Sequence, residues 1–153
     1  MDLFTNRADQ LAARLESVVG LETLVWVVDR DADMTSEFKK ATQKKKGLGL
    51  IRWLGGTNPD PNSSRLAIAS DYNITLTVKP SLRNNMPSGA ELAELAARAI
   101  HHWFPEGTPT KTRVRFEVLS CRAMPPVEHY QVHLITARSL VQLSSEPVQL
   151  LPA

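Results

Sequence analysis

The chain has 153 residues, 42% of them hydrophobic and 22% charged, which fits one domain that buries about two-thirds of its unfolded surface. That balance argues against wholesale disorder and fibrous repeats, and a single cysteine, Cys121, excludes an intrachain disulfide. Eighteen Lys and Arg against 16 Asp and Glu leave a net charge of +2, too small to imply nucleic-acid binding by itself. No apolar run approaches the roughly 20 residues of a membrane helix, and the first residues alternate charge with apolar side chains, unlike a signal peptide. The expectation is a soluble protein made in the cytoplasm.

Leu11, Leu15 and Val18, supported by Ala8 and Ala12, recur at helical spacing, so Leu3 to Val18 reads as an amphipathic helix that Gly20 can stop. Thr23 to Val28 follows as a continuously apolar, β-branched strand. Asp29 to Gly47 is irregular: an acidic entry, a short helix carrying Met34, Phe38 and Ala41, and then the lysines 39, 40, 44, 45 and 46. Like charges packed this closely repel one another, and a solvated loop is the first reading; a subunit contact or a phosphate contact are the others. Leu48 to Leu54 reads as a strand ended by Gly55 and Gly56, and Thr57 to Asn62 is turn chemistry.

The clearest strand runs from Leu66 to Val78. Leu66, Ile68, Tyr72, Ile74, Leu76 and Val78 share one face, interrupted by Ser70, and Asp71, Asn73, Thr75, Thr77 and Lys79 take the other. One side belongs on a core, the other on water or a neighbouring subunit. Pro80 ends it, for want of a backbone donor. Ser88 with Glu91 three residues later marks a helix start, and Leu92, Leu95, Ala96, Ala99 and Trp103 form its apolar stripe up to Pro105 and Gly107. Val114-Phe116-Val118 and Tyr130-Val132-Leu134 alternate as two more strands, joined by a longer loop through Cys121 to Pro126. The order predicts an α+β fold: an antiparallel or mixed sheet of about 4–5 strands with two helices on one face. Residues 1–143 form the domain and 144–153 an apolar tail that packs on its own domain or on a neighbour.

Reactive centres are hard to build from these residues. His129 and His133 have a helical metal-pair spacing but flank a strand, which would set their rings about 13 Å apart; His101 and His102, adjacent on a helix, would point about 100° apart. Cys121 lies beside Arg122 with no orienting group or oxyanion hole in view, so an inert thiol outweighs a nucleophile using His129 as base. The glycine pairs match no phosphate loop and read as strand ends. Asp29, Asp31 and Asp33 begin like a calcium loop, but Met34 and Lys40 stand where glycine and glutamate are required. Trp26, Trp53 and Trp103 read as core residues. No catalytic residue, metal site or cofactor is expected, and the chain reads as a non-enzyme.

The run Gly49-Leu50-Ile51-Arg52-Trp53-Leu54-Gly55-Gly56 with Asn58-Pro59-Asp60-Pro61-Asn62, the strand Ser70 to Val78, and the helix from Glu91 to Ala96 ending in His101-His102-Trp103 together resemble the small tail proteins of tailed bacteriophages of the tail terminator kind. The resemblance covers roughly residues 3 to 137; the lysine-rich segment between Thr35 and Gly47 and the tail after Ser144 depart from it. It implies a virion structural protein at the tail–neck junction, assembled in the host cytoplasm. Such a protein forms a homo-oligomeric ring, a hexamer, that caps the tail tube, ends its polymerisation and offers a surface to head and neck connector proteins. A closed ring needs two different patches per copy. Candidates are Asp71, Asn73, Thr75 and Thr77 on the polar strand face, and the loops with Lys44, Lys45 and Lys46 and with Asn58 and Asp60. DNA passes such a ring without specific binding, which suits the small net charge. A neck or head–tail joining protein is the alternative, and a nucleic-acid module using Lys39 to Lys46 is a second.

Overall fold

The computed structural model describes residues 2–30, 36, 39, 40, 43, 45–80, 87–143 and 147–152. Among them the chain forms helix α1 (Leu3–Glu16), a short 3-10 turn (Leu21–Thr23), β1 (Leu24–Val28), β2 (Gly47–Thr57), β3 (Ala67–Val78), helix α2 (Gly89–Ile100), β4 (Glu117–Val127) and β5 (Tyr130–Gln142). The five strands make one sheet in the order β1-β2-β3-β5-β4. This is the α+β architecture expected, and the sheet is mixed. β1 and β2 run parallel, since a long connection separates them, and every other neighbouring pair is antiparallel.

Alternation in β3 decides where the core lies. Tyr72, Ile74, Leu76 and Val78 have no exposed surface, and Ser70 shares their side with its Oγ donating to Ile68 O. Both helices pack on this side. From α1 come Ala8, Leu11 and Leu15, and from α2 come Leu92, Ala93, Ala96 and Ile100. Fully burying a side chain of Leu or Ile size contributes about 1.5–3 kcal/mol, so these residues fix which face of each helix looks at the sheet. Leu95 and Ala99, expected on the stripe of α2, are half-buried, and the stripe is completed by Ala93 and Ile100.

The caps follow from the sequence. Asp2 accepts from the Phe4 and Thr5 amides at the start of α1, and Ser88 Oγ accepts from the Glu91 amide at the start of α2; each such cap contributes about 1 kcal/mol. α2 stops at Ile100, earlier than the apolar spacing predicted, because His101 turns extended and His102 takes a positive φ of 63°. That break also overturns the expected divergence of the two histidines. Their rings stack at 3.9 Å, and His101 Nδ1 accepts from the Val118 amide.

Two strands differ from the sequence reading. β2 continues through Gly55 and Gly56 to Thr57, with a bulge at Leu54, which is left between the paired positions Trp53 and Gly55, and Gly55 takes a φ of 97°. Gly49 is inside the strand, where a Cβ would sit 2.4 Å from the Trp26 ring. β4 begins at Glu117 and includes Cys121 to Pro126, the residues read as a loop. As an edge strand it accommodates Pro125 and Pro126, which need no ladder donor there, and its register breaks at that point. The true turn is Glu128-His129 alone, both at positive φ (48° and 74°). Val114 and Phe116 precede the strand: Phe116 donates its amide to Trp103 O and stacks on the Trp103 ring.

Arg7 on α1 is turned inward among the apolar residues of the helix. It is 7% exposed, donating to Ser139 Oγ at 2.6 Å and Leu140 O at 3.0 Å. Trp53 departs from the core role: it is 40% exposed and stacks on Phe4, ring centroids 4.2 Å apart. The expected helix with Met34, Phe38 and Ala41, and residues Asp31, Asp33 and Lys44, lie outside the described residues.

Candidate interaction surface

The face of the sheet turned away from α1 and α2 carries four of the nine residues singled out as interface candidates, Asp71, Asn73, Thr75 and Thr77. Strand pairing places them in rows that cross the sheet. Asp71 on β3 pairs with Arg138 on β5, which pairs with Glu117 on β4. Arg138 grips Asp71 with two hydrogen bonds, Nε to Oδ1 at 2.7 Å and Nη2 to Oδ2 at 3.2 Å. The hydrogen bonding of Arg138 to Asp71 raises the Arg138 pKa, helped by the charges of Asp71 and Glu117. In the next row Ser120, Thr136, Asn73 and Arg52 lie side by side on four strands, with Thr136 Oγ1 donating to Asn73 Oδ1 at 3.0 Å. Arg52 continues to Asp29 at 2.6 Å.

Further along, the rows turn apolar. Thr75 lies between Leu50 and Leu134, and Thr77 between Leu48 and Val132, with Val27 and Val25 of β1 beyond. Apart from Arg122 on the β4 edge, which pairs with Leu134, the face is therefore graded, charged at the Asp71 end and increasingly aliphatic toward Thr77. Reading β3 alone gave a polar face. The aliphatic half comes from β2 and β5, and the cross-strand register that brings it beside Thr75 and Thr77 is not written in any one strand.

The loop candidates are elsewhere. Asn58 Oδ1 accepts from the Asp60 amide within an exposed turn. Lys45 donates to Glu22 O at 2.8 Å, and Lys46 Nζ bonds Pro87 O while its amide bonds Thr23 O. These two lysines tie β2 to the start of β1 and to the entry of α2. The structure thus does not gather all candidates into one patch.

A concave region of about 800 Å³ opens between the start of α1 and the ends of β1 and β2, with Asn6, Asp9, Arg30, Arg52 and Trp53 on its walls. Its charges are already matched, Arg30 to Asp9 and Arg52 to Asp29. Cys121 is exposed on β4, and pairing with Ile135 places it at least about 17 Å along the hairpin from His129, beyond proton-transfer reach. Among the described residues no three His, Cys, Asp or Glu side chains group as metal ligands, and no helix is long and apolar enough to cross a membrane. The chain matches no protein-family model and no curated protein significantly.

Proposed function

We propose that the chain is a virion assembly protein of the tail terminator kind: a ring-forming subunit that caps a phage tail tube and presents a surface to the neck. The observation that carries this reading is the graded sheet face. A sheet face charged at one end and aliphatic at the other is suited to lateral contact with a protein surface, because it offers directional ion pairs beside half-buried aliphatic side chains such as Leu50 and Leu134. The chain order that resembles terminators supplies the rest of the case. Lys45 and Lys46 are engaged by main-chain carbonyls, which favours the ring over a lysine comb for phosphates.

The test is to purify the chain, measure its mass by light scattering, and add it to growing tail tubes. A ring of several copies that binds tube ends and halts elongation is the expected result. A strictly monomeric protein that leaves tube growth unchanged overturns the proposal. Cross-linking to a portal ring and not to the tube would transfer the same surface to the neck-protein alternative.

A further inference from the structure

Arg7 is a cation inside the fold whose partners engage only part of its fork. Nη1 donates to Ser139 Oγ and to Leu140 O, which uses both of its hydrogens. Among the described residues no bond leaves Nε or Nη2, and neither atom is sealed off from solvent. The Nε–H and the two Nη2–H donors of the guanidinium therefore remain open. A charge taken this far out of water is costly unless an opposite charge or a full set of hydrogen bonds meets it, and no carboxylate among the described residues pairs with Arg7.

Arg7 lines a recess of about 250 Å³ between α1, the turn at Glu106 and Gly107, and the end of β5. At roughly 30 Å³ per water, that is room for about eight water volumes. The chain itself shows what the Nε and Nη2 edge of an arginine takes: on Arg138 those two nitrogens hold the two carboxylate oxygens of Asp71. A planar carboxylate matches, oxygen for nitrogen, the fork that Arg7 leaves open. The walls narrow the ligand further. Leu3, Pro109, Val114 and Val141 line the recess and suit an alkyl group, while Glu106 stands on the same wall. One guanidinium neutralises a single negative charge; a doubly charged phosphate would keep its excess beside Glu106.

We infer that this recess binds a small aliphatic monocarboxylate, its two oxygens held by Arg7 Nε and Nη2 and its alkyl chain set against Leu3, Pro109, Val114 and Val141. The ligand completes the partners of a cation that joins α1 to β5, so binding stabilises the folded chain by mass action. The recess lies on the helix side of the sheet, away from the face proposed for assembly, and the inference does not depend on the ring reading.

The experiment titrates the full chain with sodium butyrate, and with sodium phosphate and sodium chloride at matched ionic strength, reading binding by calorimetry and stability by thermal melting. Butyrate should bind saturably, at least tenfold tighter than phosphate, and raise Tm, while chloride leaves Tm in place. Arg7→Met should weaken butyrate at least tenfold. Asn6→Asp should do the same: it adds a carboxylate to the wall of the recess, in the first turns of α1, where an acidic side chain suits the helix. That variant decides alone if Arg7→Met does not fold. Arg65→Gln, at an exposed position outside the recess, should bind butyrate as wild type does. Three results overturn the inference: no saturable butyrate binding, butyrate affinity retained in Arg7→Met or Asn6→Asp, or phosphate bound as tightly as butyrate. An equal loss in Arg65→Gln also overturns it, since a site elsewhere would then hold the anion.

Discussion

The guanidinium of Arg7 on α1 donates to Ser139 Oγ on β5, and Ser139 Oγ donates in turn to Val114 O at 2.5 Å. One hydroxyl thereby joins a helix, a strand and the segment entering β4. Among the described residues no carboxylate forms an ion pair with Arg7, and burial lowers its pKa against the opposing influence of Tyr72. Ser139→Ala removes an acceptor from a buried cation and should destabilise the fold by about 1–3 kcal/mol. Arg7→Met keeps the volume and removes the charge together with its need for partners, so it should cost less than Ser139→Ala or stabilise. Urea midpoints at unchanged slope would measure both; the reverse order would show that the cation itself holds α1 to β5.

The Trp26 indole, anchored by its Nε1 donating to Leu21 O, fills the space over Gly49. Gly49→Ala must push the ring or the strand aside, an overpacking cost of about 1–3 kcal/mol. At this chain length that lowers Tm by about 2–4 °C per kcal/mol. A thermal melt of Gly49→Ala coincident with wild type would mean that the ring moves freely.

How much of this was legible in the sequence depends on whether one element or several were involved. β3 and α2 were readable because their periodicity and cap are local: Tyr72 to Val78 alternate within one strand, and Ser88 stands just before its helix. The burial of Arg7 was not readable because its partners lie on β5, Ser139 being 132 residues away. β4 beyond Val118 escaped notice because an edge strand exposed on both faces has no apolar period to show, and its turn uses Glu128 and His129 where glycine or asparagine would have marked it. The candidate face was half visible: Asp71 to Thr77 came from one strand's pattern, whereas Leu50 and Leu134 beside Thr75 depend on register.

Asp2 should make stability depend on acid. The hydrogen bond from the Thr5 side chain is the largest influence lowering its pKa, and the Thr5 and Phe4 amides act in the same direction. A carboxylate whose pKa is lower in the folded state contributes fully above its unfolded pKa, and the contribution fades as pH falls through the folded value. Asp2→Ala should therefore cost about 0.5–2 kcal/mol at pH 7, toward the lower end for so exposed a cap, and much less at pH 2. Chemical denaturation at both pH values checks this; equal losses would assign the effect to something other than the carboxylate.

Asp71→Arg separates folding from assembly. The Arg138 pair is partly exposed, 49% and 29% for the two side chains, and pairs of that kind contribute about 0–1 kcal/mol. The variant also sets two like charges opposite each other, which adds a comparable penalty. Under the proposed function it should melt within a few degrees of wild type yet lose ring mass in light scattering. A variant that assembles normally would remove the charged end of the sheet face from the subunit contact.

The mixed pairing of the sheet has a consequence for symmetry. β1, β2 and β5 run one way and β3 and β4 the other, so the two edges, β1 and β4, point in opposite directions. A neighbour related by rotation that set its β1 beside this β4 would extend the ladder in the antiparallel sense, the more stable pairing per residue. Joining β4 to β4 in that same sense instead demands a two-fold axis, which closes at two copies. Continuation of the sheet around a larger circle is open only to unlike edges.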